Sequence, residues 1–279
     1  MIIRTLSMIC LALSLSACAV ITPVHGPDGE MLAWEIAVQT AIANPGQCRD
    51  ELALPAAPRP GQTTLDGAAI DLLSWNIRKG SLPDWRRDLA RLSLDKELVL
   101  IQEATAAMPQ KSRVLPAHWA FAPGYADFST QSGVATASHV APLLRCRFQT
   151  TEPWLRTPKA TKITRYALAG SGRTLAVANI HMVNFALGLA DFRAQLEALV
   201  LALSAHDGPL IVSGDFNTWS GARSRLMHAA MARLDAKAVA FADDRRTRIF
   251  GAAVDHVFVA GLHVESATAH VVESSDHNP

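Results

Sequence analysis

Residues 210–217 spell Leu210-Ile211-Val212-Ser213-Gly214-Asp215-Phe216-Asn217, a short apolar run that ends in polar residues. An apolar run of this length is typical of a buried β-strand. Upstream, residues 187–205 carry apolar side chains at helical spacing, which predicts an amphipathic helix, and a further helix is predicted near residues 222–234. A buried strand between helices indicates an α/β protein, with Asp215 and Asn217 at the end of the strand.

Polar side chains also follow the other predicted strands. They are Asn76 after strand 70–75, Glu103 after strand 98–102, His181 and Asn184 after strand 175–180, Asp255 after Val254, and Asp276 and His277 after the last strand. A single residue of this kind is usually a turn former. Six such strand ends in one chain favour a shared functional site.

The remaining elements predict the layers of the fold. A capping box at Ser81 and Asp84 predicts a helix that begins at Ser81. Turn chemistry at residues 170–172 and the lack of long helices between strands imply antiparallel pairing. The other predicted strands are Gly133–Ser138, Leu143–Gln149, Ile163–Ala169, Thr174–Ile180, Val254–Val259 and His263–Val272. We therefore expect a four-layer α-β-β-α sandwich with two mixed, largely antiparallel sheets.

The N-terminus resembles that of an exported lipoprotein. Residues 1–17 have one early cation and an apolar run, as a secretory signal peptide does, and residues 15–18 resemble a lipobox with Cys18 as the lipidated residue. Ala19 favours the outer membrane, so we expect an envelope protein anchored on the periplasmic side of a membrane. Residues 18–65 are predicted to be a proline-rich tether with a helix at 31–43, and residues 66–279 the catalytic domain.

Charge and cysteines limit the alternatives further. The 26 Lys and Arg residues nearly balance the 25 Asp and Glu residues, which argues against a broad nucleic-acid-binding face. After export, Cys48 and Cys146 remain in an oxidising compartment, either as a disulfide or as two separate buried thiols.

The strand-end motifs resemble those of the endonuclease/exonuclease/phosphatase superfamily, which has a deoxyribonuclease I-like fold. They occur in the order of that family, from about Asp71 to the C-terminus, and the most specific are residues 214–217 and 275–279. Relatives usually continue into one more strand, so either that strand is dispensable here or the sequence is truncated. We also find no acidic partner for the first histidine, His181, which some nucleases have.

The resemblance implies a site for each residue type. Glu103 would be the principal ligand of Mg²⁺, or of Mn²⁺, with Asn76 and Asp276 nearby. Asp215 would activate or orient a water, and Asn217 would bind the phosphoryl group or hold Asp215. The catalytic set is thus His181, Asp215, Asn217, Asp255 and His277, with His277 kept protonated by Asp255 and His181 stabilising the transition state. Asn184 and Arg165 would contact the substrate, although Asn184 could equally cap a turn and Arg165, like Lys162, could be a solvated strand residue.

The function expected from this resemblance is metal-dependent hydrolysis of a phosphodiester, in nucleic acid or a similar substrate, by a monomer. A basic track at Arg78, Lys79, Arg86 and Arg87 supports that substrate. The alternatives are a phosphomonoesterase and a phospholipid or sphingomyelin phosphodiesterase with exposed aromatic loops. Candidates for those loops, if they are not core residues, are Trp119, Phe121, Tyr125 and Phe128. A non-enzymatic surface lipoprotein is the remaining alternative.

Overall fold

The structure, a computed structural model, describes residues 41–58, 60–108, 118–126, 130–186 and 188–279. The predicted signal peptide, Cys18 and most of the helix predicted at residues 31–43 lie outside the described residues. Within those residues, no helix is both long enough and apolar enough to cross a membrane.

The described chain forms four α-helices and twelve strands. The α-helices are α1 (Pro45–Ala53), α2 (Trp85–Leu92), α3 (Ala190–Leu203) and α4 (Gly221–Ala232), with a short 3₁₀ turn at Arg78–Gly80. The strands are β1 (Leu72–Asn76), β2 (Leu98–Thr105), β3 (His118–Ala126), β4 (Gln131–Ser138), β5 (Leu144–Thr151), β6 (Pro158–Ala167), β7 (Thr174–His181), β8 (Leu210–Asp215), β9 (Lys237–Ala238), β10 (Arg248–Ile249), β11 (Ala252–Ala253) and β12 (Asp255–Ala260).

Two mixed sheets form the centre of the molecule. The first has the order β1-β2-β4-β3 and the second the order β5-β6-β7-β8-β12-β9. In each sheet one pair of strands is parallel, β1 with β2 and β7 with β8, and the other described pairs are antiparallel. Helix α2 packs on the outer face of the first sheet, and α1, α3 and α4 pack on the outer face of the second. The predicted four-layer sandwich is confirmed.

A buried amide pair connects the two sheets near one end. Gln102 Nε2 in β2 donates to Asn179 Oδ1 in β7 at 2.7 Å, and Asn179 Nδ2 donates to the carbonyl oxygens of Ile101 and Ala135. Because buried amides must satisfy their hydrogen bonds, this network fixes the two sheets relative to each other. Glu103 and His181 follow these residues and therefore emerge at the same end of the sandwich.

Residues 42–54 pack against the edge and outer face of the second sheet. The Asn44 side chain caps the N-terminus of α1, and a disulfide joins Cys48 in α1 to Cys146 in β5. The disulfide is thus confirmed over the alternative of two free thiols. At the other end of α1, Arg165 Nη1 donates to the carbonyl oxygens of Glu51, Leu52 and Leu54 at 3.0–3.3 Å. This segment is therefore held by covalent, capping and backbone contacts.

Several details of the secondary structure differ from the sequence predictions, among them helix α1 (Pro45–Ala53), which was not predicted within the tether. Helix α2 begins after Asp84, which has φ 63° and makes no capping hydrogen bond, while the Ser81 hydroxyl donates to the Arg78 carbonyl. The predicted capping box is therefore wrong, because Ser81 closes the preceding 3₁₀ turn. The strand predicted at His263–Val272 is absent from this described segment, since most of its side chains are exposed and offer no apolar face.

Strand β3 was not predicted, although it pairs with β4 along most of its length. It contains Pro123, a residue that argues against a central strand but is tolerated in an edge strand such as β3. Trp119 and Phe121 in this strand are buried, so they are core residues and not lipid-binding loops. Phe128 lies outside the described residues.

Candidate active site

The central part of the site is a row of three side chains on adjacent strands. The parallel register of β7 and β8 places His181 opposite Asp215, and the antiparallel register of β8 and β12 places Asp255 on the other side of Asp215. The preceding residue, Gly214, has φ 147°, and a Cβ there would lie 1.9 Å from the Ile180 carbonyl oxygen. Only glycine allows this close approach of β8 to β7, so Gly214 sets the position of Asp215.

Asp215 is buried, and both of its carboxylate oxygens contact other residues of the site. Its Oδ1 accepts from the Asn217 backbone N–H at 2.9 Å, and its Oδ2 accepts from Asn76 Nδ2 at 3.0 Å. The imidazole Nε2 atoms of His181 and His277 lie 3.4 and 3.9 Å from Oδ2. Burial and the neighbouring Asp255 carboxylate raise the pKa of Asp215 to about 6, against the opposing effect of His277. A carboxylate with a pKa near neutrality suits proton transfer.

His277 and Asp255 form a hydrogen-bonded pair. The Nδ1 atom of His277 lies 2.8 Å from Asp255 Oδ2, and the His277 carbonyl accepts from the Trp75 indole N–H at 2.9 Å. Burial lowers the pKa of His277, but the carboxylates of Asp255, Asp215 and Asp276 outweigh it and raise the pKa to about 10. His277 is therefore a cation at neutral pH, with Nε2 directed towards Asp215.

His181 has the opposite electrostatic environment. Its Nε2 lies 3.1 Å from Lys159 Nζ. Burial, together with Lys159, His277 and Lys79, holds the pKa of His181 well below its usual range, so the imidazole is neutral. The same Nε2 atom therefore faces both Lys159 and the Asp215 carboxylate, which lies 3.4 Å away.

Lys159 was not among the predicted site residues, because the predicted strand began four residues later. The register of the β6–β7 hairpin, which pairs Ala167 with Thr174 and Thr161 with Ile180, brings the first residues of β6 beside His181. Counting back from the turn at residues 170–172 would have placed Ala160 opposite His181, with Lys159 as the next residue.

Asn217 and Asn184 are both fixed by hydrogen bonds. Asn217 has φ 49° and donates its Nδ2 to the Met182 carbonyl at 3.0 Å, so it holds Asp215 through its backbone N–H. Asn184 Oδ1 accepts from the Trp219 indole N–H at 2.9 Å. Its second polar atom, Nδ2, makes no hydrogen bond with the described residues, and its contact with substrate stays a prediction.

The predicted metal ligands lie along the neighbouring strand ends. Asn76 pairs with Gln102 in register, which places Glu103 next to it, and Ser275 Oγ donates to the Asn76 carbonyl at 2.7 Å, which brings Asp276 to the same edge. Glu103 has φ 52° and makes no hydrogen bond or ion pair with the described residues. A backbone held in this region beside a site, with a carboxylate that has no partner, is consistent with a functional ligand.

A second group of possible ligands is Asp215, Asp255 and His277, whose ligand atoms all lie within 4.8 Å of one another. Both groups consist mainly of the oxygen donors that hard divalent cations prefer. In the second group the His277 proton, shared with Asp255, competes with a cation. In the Glu103 group, the Glu103 carboxylate has no partner among the described residues, so the residues of this site fit a divalent metal ion.

Arg165 lies far from this site, which corrects the predicted contact with substrate. It pairs in register with Ala176, five residues before His181, or roughly 17 Å along a strand. Its guanidinium donates hydrogen bonds to the carbonyl oxygens at the end of α1. The neighbouring Lys162 is likewise not a solvated strand residue, because it is fully buried between the sheets.

Part of the predicted basic track lies beside the site. Arg78 Nε is 3.6 Å from Asp276 Oδ2, and Lys79 Nζ lies 5.5 Å from the centre of the Tyr125 ring. Arg86 stacks on Trp85, and Arg87 contacts Asp84 and Asp88 on α2. Of the four residues of the track, Arg78 therefore contacts a site residue, whereas Arg86 and Arg87 make their contacts on α2.

This two-sheet sandwich, with its set of carboxylates, imidazoles and amides, is typical of metal-dependent phosphoesterases. The sequence profile described as "Endonuclease/Exonuclease/phosphatase family" matches residues 73–277. The chain belongs to the endonuclease/exonuclease/phosphatase family.

Known proteins agree with this assignment. A UPF0294 protein of Vibrio cholerae is 39% identical over 225 residues, which cover 80% of this chain and 79% of the relative. Among solved structures, an endonuclease/exonuclease/phosphatase family protein from Leptotrichia buccalis has a TM-score of 0.59 at 15% identity, covering 75% of this chain and 97% of its own. A mannosyl-6-phosphatase of Bacteroides thetaiotaomicron has a TM-score of 0.57 at 14% identity, covering 75% and 97%. At these identities the two structures support the fold alone.

Proposed function

We propose that the protein is a divalent-metal-dependent phosphodiesterase in which a water attacks phosphorus. The observation that carries this proposal is the placement of the buried Asp215 carboxylate between two imidazoles. Carboxylates that could hold a cation lie on one side, and Lys159 lies on the other. A site that offers both cation ligands and fixed positive charges suits an anionic phosphoester and the charge that develops on its oxygens.

The protein side chains would divide the work as follows. Asp215 accepts a proton from the attacking water, and the Asn217 N–H and Asn76 amide hold its two oxygens. The protonated His277, oriented by Asp255, donates to a phosphoryl oxygen. Lys159 and the neutral His181 lower the energy of the negative charge on the phosphoryl and leaving oxygens. A Mg²⁺ or Mn²⁺ ion held by Glu103, Asn76 and Asp276 would polarise the phosphoryl group as a Lewis acid.

One observation favours the phospholipid alternative for the substrate. Phe250, at the turn between β10 and β11, is 89% exposed and lies 6.4 Å from the Trp219 ring, which in turn binds Asn184. Phe185, next to Asn184, is 56% exposed. These aromatic side chains border the site and offer an apolar surface to a lipid.

The experiment that tests the function is hydrolysis of bis-p-nitrophenyl phosphate with Mg²⁺, Mn²⁺ or EDTA by the wild type and Glu103→Ala. We expect metal-dependent hydrolysis by the wild type that Glu103→Ala loses. The same two proteins are then compared on DNA, RNA, phospholipid vesicles and p-nitrophenyl phosphate to identify the substrate class. A wild type that hydrolyses none of these would contradict the proposal and leave the non-enzymatic lipoprotein.

We also propose that the chain is exported, anchored through lipid on Cys18 and active as a monomer in the cell envelope. The Cys48–Cys146 disulfide supports export, because disulfides persist mainly in oxidising compartments. Metabolic labelling with a palmitate analogue, compared between wild type and Cys18→Ser, tests the anchor. Equal labelling of the two proteins would contradict it.

A further inference from the structure

The loop that follows β7, Met182–Phe185, carries Asn184 and contacts Asn217, whose Nδ2 donates to the Met182 carbonyl. It has no regular secondary structure, yet Met182 and Val183 are fully buried. Buried backbone N–H and C=O groups in an irregular segment require partners from outside the segment.

Every backbone N–H from Met182 to Phe185, and every carbonyl from His181 to Asn184, has such a partner. The N–H groups donate to the Asp215 carbonyl (Met182), Gln195 Oε1 (Val183) and Glu152 Oε1 (Asn184 and Phe185). The carbonyls accept from Gln195 Nε2 (His181), Asn217 Nδ2 (Met182) and the Arg223 guanidinium (Val183 and Asn184). The loop is therefore held mostly by side chains from other elements.

Arg223 holds the carbonyl side of the loop. Its Nη1 donates to the carbonyls of Val183 at 2.9 Å and Asn217 at 3.1 Å, and its Nη2 donates to the carbonyl of Asn184 at 2.8 Å. The guanidinium stacks on the Trp219 ring at 4.4 Å and is 1% exposed as a residue. Arg223 is in the first turn of α4, where the helix dipole disfavours a cation. Its position therefore does not serve the stability of that helix.

Glu152 holds the N–H side of the same loop. Its Oε1 accepts from the Asn184 N–H at 2.6 Å and the Phe185 N–H at 3.1 Å, and its Oε2 accepts from the Thr157 hydroxyl. It is 1% exposed, and no ion pair joins it to a described cation. The Asn184 residue thus lies between a buried anion on its N–H and a buried cation on its carbonyl.

We propose that Glu152 and Arg223 are a coupled pair of positioning residues that hold Asn184 and Asn217 for the reaction without touching the substrate. The two charges act on each other through the peptide groups of residues 183–185. Removal of either one leaves the other buried charge without compensation and lets the loop shift. The effect on catalysis rests on the proposed function, whereas the coupling through the loop does not.

The kinetic test compares Glu152→Ala, Glu152→Gln, Arg223→Met, Arg223→Lys and the double variant E152A/R223M on bis-p-nitrophenyl phosphate. A shift of about 1 Å in positioning groups costs about 100-fold in rate, so E152A and R223M are expected to lose kcat to about this extent. E152Q should recover at least tenfold over E152A, because the amide oxygen can still accept both N–H groups. R223K should not recover, because an ammonium cannot reproduce the fork to three carbonyls.

Coupling is tested by the double variant, which should lose little more activity than either single variant. Glu197→Ala and Arg233→Met, which break an exposed ion pair on α3 and after α4, are the matched controls and should keep wild-type kcat. Additive losses, or variants with lowered Tm but unchanged kcat, would overturn the positioning role.

A readout independent of activity separates this proposal from the proposed function. In ¹H–¹⁵N spectra, the Asn184 and Phe185 amide protons should move upfield in E152A, which removes their charged acceptor. They should also move in R223M, although Arg223 does not contact those N–H groups. If R223M leaves both resonances unchanged, the pair is not coupled, whether or not the wild type hydrolyses any phosphoester.

Discussion

Replacing Lys162 with methionine should stabilise the protein. Lys162 is buried between the two sheets. Its Nζ has no hydrogen-bond partner among the described residues. Burial, with Arg145 and Arg147 nearby, lowers the pKa of Lys162 from 10.5 to about 7. Proton linkage converts this difference into a penalty on folding of about 4 kcal/mol at pH 7. Methionine has a similar shape and carries no charge, so it removes the penalty.

The sign of the pH dependence follows from the same difference. The pKa is lower in the folded state, so between pH 7 and 10.5 the unfolded chain binds the additional proton. The contribution of Lys162 to wild-type stability therefore rises with pH through this window, and the penalty is gone above pH 10.5. The advantage of Lys162→Met should thus be largest at pH 7 and shrink towards pH 10.

Urea unfolding at pH 7, 8, 9 and 10 measures this advantage, with the disulfide intact in both proteins. Lys237→Met, at an exposed position in β9, is the control and should show no such trend. The reasoning would be refuted if Lys162→Met were less stable than wild type at pH 7. It would also be refuted if the difference in free energy of unfolding between the two proteins were the same at pH 7 and pH 10. Either result would indicate a partner for the ammonium.

Three further outcomes follow from the structure. The double substitution Cys48→Ser/Cys146→Ser opens a link across 98 residues and should lower the free energy of unfolding by about 4 kcal/mol in urea titrations; an unchanged midpoint would contradict this. Gly214→Ala should lower the free energy of unfolding by several kcal/mol in thermal unfolding, because its Cβ meets the Ile180 carbonyl. Gly61→Ala is the control for backbone strain alone, since Gly61 is also at positive φ but in open space, and it should lower the free energy of unfolding less. Asp255→Asn removes the main charge that raises the pKa of His277 to about 10, so the alkaline limit of kcat/KM should move towards neutral pH; identical pH profiles would show that His277 does not act as a cation.

Most of the strands and the polar residues at their ends were predictable because burial and turn chemistry are local signals. The run at residues 210–217 identifies both a buried strand and the carboxylate that follows it, and its glycine is required by the neighbouring strand. The pairing register that places His181, Asp215 and Asp255 side by side was not predicted and comes from the structure.

What the sequence did not predict depends on contacts between distant elements. Glu152 and Arg223 look like ordinary charged residues in the sequence, and only the path of the loop after β7 explains their burial. Arg165 and Lys162 lie on opposite faces of one strand. Arg165 binds the carbonyls of α1, and Lys162 lies between the sheets. Side-chain direction in a strand follows from the sequence, but the element that covers each face does not.

The contact of Ile42 with β5 also bears on the open edge of the larger sheet. Strand β5 is the outer strand of the six-stranded sheet, and unpaired backbone groups on such a strand can recruit a second polypeptide. The Ile42 N–H donates to the Arg145 carbonyl, and the Ile42 carbonyl accepts from the Arg147 N–H, so part of this edge is covered. The covering segment is secured by the bond between Cys48 and Cys146, six residues away. Reduction of this disulfide would remove the covalent attachment and leave the Ile42 backbone hydrogen bonds as the contacts that cover this part of the edge.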